Sequence, residues 1–464
     1  MPKSIVAAAL LLLWLPFLAK AQTTKYIEHK VRWMENIYTI SRKYQVDPNT
    51  VLEYNKITAK DVRRGITLLI PVVSVENQGI TQPNTPVLVD PDDVRNRIRY
   101  DCNEYRPALG TVHKISLILP FQLQDAHPNP SFLEFYEGVL LAVKDLEKEL
   151  EEEGVRILLS LYDSGGYSWL SSLVESGALH DQELIIGPVY AADVFDLVNY
   201  SFGRHFKVVS PLDPQTESAA YANPSFFQVN TSLYRQQSNL IQCLPPHPGM
   251  VWLFSEELGS DEELVNTTKE VLRENHIIFR EFTHKVAKDH DITGELSLMF
   301  AQGQNNHVIV ASTNEAFVSD VLRSLNLARA IHNCPITLYG NARWRNFESV
   351  DLEYYHNMYL HLAVTNYVDY QRPEVKRFLS RFRALYRTEP TAYAFHGYDV
   401  GYYFIRALLT KGPMFDNCME QGYIPALPLQ SNFRFQKASA EGGFINTGTR
   451  IIRYLPDFKI EVIR

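Results

Sequence analysis

The sequence predicts an α/β protein in two parts: a small βααβ module, then a long body of two doubly wound parallel sheets. Three observations predict it. From His113 onward, short apolar runs that stop at turn residues alternate with stretches of helical spacing, and the connections are short. Glu183–Asp213 is a complete βαβ unit. In it, Leu184–Ile186 and Phe206–Val209 are apolar runs stopped by Gly187-Pro188 and Ser210-Pro211, and Ala191–Phe202 sets Val194, Leu197 and Val198 on one side. Residues 26–72 carry their own strand, helix, helix, strand order. Residues 73–91, rich in Pro, Asn, Thr and Val without periodicity, begin a linker that runs to residue 112.

The chain of 464 residues has room for two or three domains. Its net charge of −8, with no basic block, argues against nucleic acid as a partner. Residues 1–21 read as a secretory signal: Lys3 is the positive end, Ile5–Leu18 the apolar stretch, and Ala19-Lys20-Ala21 the cleavage site. The mature chain would begin at Gln22 and be periplasmic or associated with the cell wall; no Cys follows the site to carry a lipid. Cys243 and Cys334 each precede an expected strand. If those strands share a sheet the two thiols lie at the same end of it, free to pair in an oxidising compartment or to stay as buried thiols.

In the small module Tyr26–Val31 alternates as a strand, Asn36–Tyr44 is amphipathic, Asp47-Pro48 starts a second helix, and Thr67–Val72 is the closing strand. His29-Lys30-Val31, Ile37-Tyr38-Thr39-Ile40-Ser41, Tyr44-Gln45-Val46, Val51-Leu52-Glu53-Tyr54-Asn55 and Gly65 through Ile70-Pro71 together resemble a LysM domain. The resemblance implies binding of peptidoglycan or a related N-acetylglucosamine glycan. The groove would lie between Trp33, Met34, Glu35 and Asn36 on one side and Ile57, Arg63 and Arg64 on the other. The usual Gly-Asp/Glu-Thr turn is Met34-Glu35-Asn36 here, and Ile66 stands where a Gln often follows the late Gly.

In the long body, strands are expected at Ile115–Leu119, Val155–Leu161, Ser225–Val229, Met250–Phe254, Ile277–Phe282, His307–Ala311, Ile336–Tyr339 and Asn357–Val364. Helices are expected at 131–152, 169–178, 234–243, 261–274, 292–302, 315–330, 373–387 and 393–409. The end, Phe433–Phe435 with Ile451–Leu455 and Phe458–Val462, reads as antiparallel strands. Lobe one would take residues 113–232 and 367–428, and lobe two residues 233–366 and 429–464.

An ordered series of short stretches resembles a type I periplasmic binding protein. They are Ile118-Leu119-Pro120-Phe121, Tyr136-Glu137-Gly138, Tyr162-Asp163, Ile186-Gly187-Pro188, Val209-Ser210-Pro211, Phe227-Gln228-Val229 and Ala394-Phe395-His396-Gly397-Tyr398-Asp399. The resemblance covers residues 113–464 and implies closure of two lobes over a small-molecule ligand. Carried over, the lobe-one wall would be Phe121, Gln122, Tyr162, Asp163, Val189, Tyr190, Leu212 and Asp213, and lobe two would offer Glu256, Thr313 and Asn341. Amino-acid binders of this family set Ser/Thr hydroxyls on the ligand carboxylate in the loops after strands three and four. This chain has Val189-Tyr190-Ala191 and Leu212-Asp213-Pro214 there, and Asp213 would repel a carboxylate.

No catalytic, metal or phosphate-binding motif stands out, so no enzyme activity and no cofactor are expected. The reading is a non-enzymatic periplasmic protein that binds a small molecule and is tethered to peptidoglycan. The alternative is an envelope scaffold whose binding-protein fold has lost its ligand and contacts a wall-synthesis enzyme or other protein partner.

Overall fold

The computed structural model describes residues 25–31, 37–44, 46, 48–58, 61–62, 66–72, 102, 105–123, 129–151, 154–166, 169–201, 204–285, 292–300 and 303–463. Contacts divide the chain into two units, residues 1–88 and 89–464.

In the small unit, β1 (Lys25–Lys30) and β2 (Thr67–Val72) pair antiparallel, with Lys30 opposite Thr67. Two helices, Ile37–Tyr44 and Pro48–Asn55, come between them in the chain. Val31, Ile37, Ile40, Val51, Leu68 and Ile70 are its buried core. Asn55 ties the second helix to β2: its Nδ2 donates to the Val51 and Leu69 carbonyls and its Oδ1 accepts from the Leu69 N–H, each at 2.8 Å.

The large unit carries two seven-stranded sheets. In chain order come β3 (Val112–Leu119), β4 (Arg156–Asp163), β5 (Leu184–Ile186), β6 (Lys207–Ser210) and β7 (Phe226–Gln228). Next are β8 (Val251–Glu256), β9 (Phe279–His284), β10 (Asn306–Val310), β11 (Ile336–Gly340) and β12 (His361–Val364). The last four are β13 (Phe435–Lys437), β14 (Phe444–Asn446), β15 (Arg450–Tyr454) and β16 (Ile460–Val462). Sheet one runs β13-β14-β7-β6-β5-β3-β4, and sheet two runs β16-β15-β12-β11-β10-β8-β9. Each is parallel through its centre, with antiparallel pairs only at the β13 and β16 ends. This is the two-lobed, doubly wound arrangement.

Burial on both faces explains the unbroken apolar runs. On β3, Ile115, Leu117 and Leu119 enter one core with Phe135 and Phe404, while Ile118 enters the opposite core with Val194 and Trp169. On β8, Trp252 and Phe254 go one way and Val251 and Leu253 the other. Across the first core the helices Pro130–Glu149 and Ala392–Lys411 pack closely, because each offers a glycine to the other's backbone. A Cβ on Gly138 would come 2.1 Å from the Ala394 carbonyl oxygen, and one on Gly397 would come 2.0 Å from that of Phe135.

Two expectations are corrected, the lobe-two assignment of residues 429–464 and the place of Cys102, and of the two alternatives open for Cys243 and Cys334 the unpaired one is found. Residues 429–464 do not all return to lobe two: β13 and β14 extend sheet one, Phe444 stands opposite Phe227 in a parallel pair, and their rings stack at 4.8 Å. The chain crosses only after Asn446. Cys243 and Cys334 are free, and the disulfide joins Cys102 to Cys418. Cys102, expected in a linker, is thereby fixed to the lobe-one helix Phe415–Glu420.

Candidate functional site at the hinge

The two lobes are joined by three crossovers: after β7 near Asn230, after β12 from Thr365, and between β14 and β15. Neutral polar side chains tie the crossovers to one another. Thr231 Oγ1 donates to the Gly448 carbonyl at 2.8 Å, and Asn446 Nδ2 donates to the Val229 carbonyl at 2.9 Å. Asn239 Nδ2 reaches the Thr447 carbonyl and Thr449 Oγ1, both at 2.9 Å. Asn366 bridges to Ser431. Beneath them Asp399, buried on the helix Ala392–Lys411, accepts the backbone N–H groups of Leu429, Gln430 and Ser431 between 2.5 and 3.0 Å. Burial raises this carboxyl, and the three donors oppose the rise by favouring its charged form.

At this junction lies a cavity of about 570 Å³. Lobe one supplies Phe132, Val189, Tyr190, Leu212, Tyr393 and His396 among its walls; the crossovers supply Asn230, Thr231, Thr365, Asn366 and Ser431. Among the described residues no Asp, Glu, Lys or Arg lines it. His396 Nε2 lies 2.7 Å from the Pro211 carbonyl and so carries the hydrogen, and Nδ1, 3.3 Å from Ser431 Oγ, accepts. Burial lowers the His396 pKa, keeping the ring neutral. The Tyr190 ring meets Phe132 edge-on at 6.3 Å and is 49% exposed. Among the described residues the side chains of Tyr190, Thr365, Asn366 and Tyr393 make no hydrogen bond, so their polar groups are free for a ligand. The loop holding Val189 and Tyr190 requires Gly187: its φ is +104°, and a Cβ would meet the Ile118 carbonyl oxygen at 2.0 Å.

Of the residues singled out from sequence, Val189, Tyr190 and Leu212 line this cavity, and the other eight do not. Phe121 is buried in the lobe-one core, and Tyr162 packs half-buried against the core on the opposite face. Asp163 accepts the backbone N–H groups of Gln122, Leu123 and Gly165, so it holds its own loop, with Gln122 at φ +56°. Asp213 accepts from the Ala191 and Gln215 N–H groups. In lobe two, Glu256 accepts from Asn314, Thr313 Oγ1 donates to Asp261 at 2.7 Å, and Asn341 caps a turn through the Arg343 N–H. Among the described residues, lobe two reaches the cavity only through Thr365 and Asn366.

The crossover residues and His396 were not singled out as site residues. Their signal was the break between alternating segments, which marks a crossover without saying which side chains turn inward. In the small unit, Ile57 is half-buried against the core; Trp33, Met34, Glu35, Asn36, Arg63 and Arg64 lie outside the described residues. Among the described residues no group of three or more His, Cys, Asp or Glu side chains could hold a metal ion, and no helix is long and apolar enough to cross a membrane.

No protein-family profile and no curated protein matches this chain. Solved structures do. A putative branched-chain amino acid ABC transporter protein from Rhodospirillum rubrum is 15% identical, matches 76% of this chain and all of its own, and superposes with a TM-score of 0.57. A branched-chain amino acid ABC transporter periplasmic ligand-binding protein from Burkholderia xenovorans LB400 is 12% identical over 76% of this chain and 94% of its own, at 0.50. An ABC-type branched-chain amino acid transporter protein from Rhodopseudomonas palustris CGA009 is 11% identical over 76% and 95%, also at 0.50. At such identities the likeness is one of fold, and the large unit has the fold of the type I periplasmic binding proteins.

Proposed function

We propose that this chain is an exported, non-enzymatic binding protein that holds a small, uncharged, polar ligand at the hinge between its lobes and is tethered to peptidoglycan by its N-terminal module. The observation that carries the reading is the hinge cavity, in whose wall none of the described side chains is charged. At about 570 Å³ it has the size of a small-molecule site. A zwitterionic amino acid would leave both its charges unpaired there, which is costly. A saccharide suits it better: free hydroxyls and amides on Tyr190, Thr365, Asn366 and Tyr393 could meet hydroxyl groups, and the rings could cover a sugar face. The fold supports a closing motion, since ligand contacts at the crossovers would bias the angle between lobes. The βααβ order of the small unit supports the LysM reading, and with it the tether.

Melting-temperature shifts of the mature protein with neutral saccharides, muropeptides and branched-chain amino acids test the ligand class. The expected result is a rise with an uncharged sugar that disappears in Asn366→Ala, and none with amino acids. A rise with leucine that survives Asn366→Ala overturns it. No rise with any of them, together with capture of an envelope protein, would favour the scaffold reading, which the internally engaged Asp163, Asp213 and Glu256 side chains support. Co-sedimentation with purified sacculi, lost when residues 22–75 are removed, tests the tether.

A further inference from the structure

We propose that a second cavity, behind the hinge, binds a small amphipathic anion: a carboxylate or sulfonate on an apolar body. This cavity is about 670 Å³ and shares only Ser431 and Phe433 with the first. Its two kinds of wall match the two ends of such a molecule. The half-buried Tyr423 and Phe435 give aromatic surface, with the buried Tyr403 behind them, and Leu427, 79% exposed, gives an apolar rim. Against these stand three guanidinium groups, Arg372, Arg434 and Arg450, with Glu374 as the one carboxylate among the described lining residues. In a chain of net charge −8 that is a local concentration of positive charge.

The three arginines are not equally neutralised. Arg372 has Glu374 at 3.6 Å and donates to the Pro428 carbonyl. Arg450 donates to the Tyr367 and Ser431 carbonyls at 2.7 and 3.1 Å, which orients it without cancelling its charge. Burial depresses the Arg450 pKa and the positive charge of Arg372 adds to it, while Asp399 and Asp369 oppose. Asp399 is committed to three backbone N–H groups and Asp369 accepts from the Gln371 N–H. Arg434 is exposed, and its guanidinium has no ion pair or hydrogen bond among the described residues. An unpaired guanidinium beside two more, at the edge of an aromatic hollow, is the donor set that a planar carboxylate or sulfonate takes up by paired hydrogen bonds. An apolar body on the same molecule would cover the ring surface. This inference stands apart from the ligand of the first cavity, and either can fail alone.

The test is fluorescence titration of the mature protein with anilinonaphthalene sulfonate, an aromatic anion. The wild type should bind it, with displacement by laurate and none by dodecyltrimethylammonium. Arg434→Gln should weaken binding about tenfold, as expected for the loss of a charge-assisted contact. Arg434→Glu should weaken it further. Both changes are at an exposed side chain and should leave the melting temperature unaltered. Leu427→Ser should weaken laurate, and Tyr190→Ala, in the first cavity, should change nothing. Equal affinity in Arg434→Gln, equal displacement by the cationic amphiphile, or loss in Tyr190→Ala would each overturn the proposal.

Discussion

Asp163 shows what a residue in the right place can be occupied with. It ends β4, at the carboxyl edge where open α/β sheets bind ligands, yet its oxygens take three backbone N–H groups between 2.8 and 3.2 Å. Asp163→Ala should therefore cost about 0.5–1.5 kcal/mol, since water can meet the freed, exposed N–H groups, read as a lower denaturation midpoint, with saccharide affinity unchanged. The sequence placed Asp163, Asp213, Thr313 and Asn341 at strand ends because apolar runs stop there. It could not say whether each side chain faces a ligand or its own loop, since that depends on a backbone turn of one or two residues. His361 on β12 carries a pH prediction. Burial, with Arg453 and His307 adding to it, lowers its pKa from 6.5 to about 4 against a raising bond from Nδ1 to the Tyr359 carbonyl. The folded state thus prefers the neutral ring. Its contribution is complete above pH 6.5 and is lost as pH falls from 6.5 towards 4, up to about 3 kcal/mol. Urea unfolding between these pH values should show a flatter slope in His361→Gln than in the wild type; equal slopes would remove His361 from the account.

At the scale of elements, most of the large unit was legible because a parallel strand buried on both faces carries a near-continuous apolar run, and β3, β5, β6, β8 and β10 each contain one. The short end strands were not. β13 is a three-residue strand with Gln436 and Lys437 in it; it pairs with β14, and only the pairing of β14 with β7, more than 200 residues earlier, decides that both belong to sheet one. No local pattern carries that. The helix pair Pro130–Glu149 and Ala392–Lys411 rests on a reciprocal pair of glycines, and the sequence shows the glycines without showing that they face each other. Gly397→Ala would press a methyl group into the Phe135 carbonyl. It should cost about 2–3 kcal/mol through overpacking, measured as a lower urea midpoint. Gly177→Ala, at a position with nothing within 4 Å of the added carbon but with φ +70°, is the comparison, paying backbone strain alone.

Across the whole molecule, the disulfide closes residue 102 onto residue 418 and fixes the start of the large unit to lobe one. Thiol titration should find two free thiols in denaturant, Cys243 and Cys334. In the native protein the half-exposed Cys243 should react first and the buried Cys334 only on unfolding. Four thiols without reductant would contradict the pairing. Composition and connectivity made the two-lobed plan readable from the sequence. The hinge cavity was less so, because its walls come from segments near residues 190, 230, 365, 396 and 431 that meet only in three dimensions. The central claim is that these segments hold an uncharged ligand. The most direct measurement is native mass spectrometry of the gently purified mature protein, before and after incubation with neutral saccharides. The account expects one uncharged molecule per chain, absent from a Tyr190→Ala, Asn366→Ala double variant. A chain that stays empty throughout, or one that carries a charged amino acid retained by that variant, would contradict it.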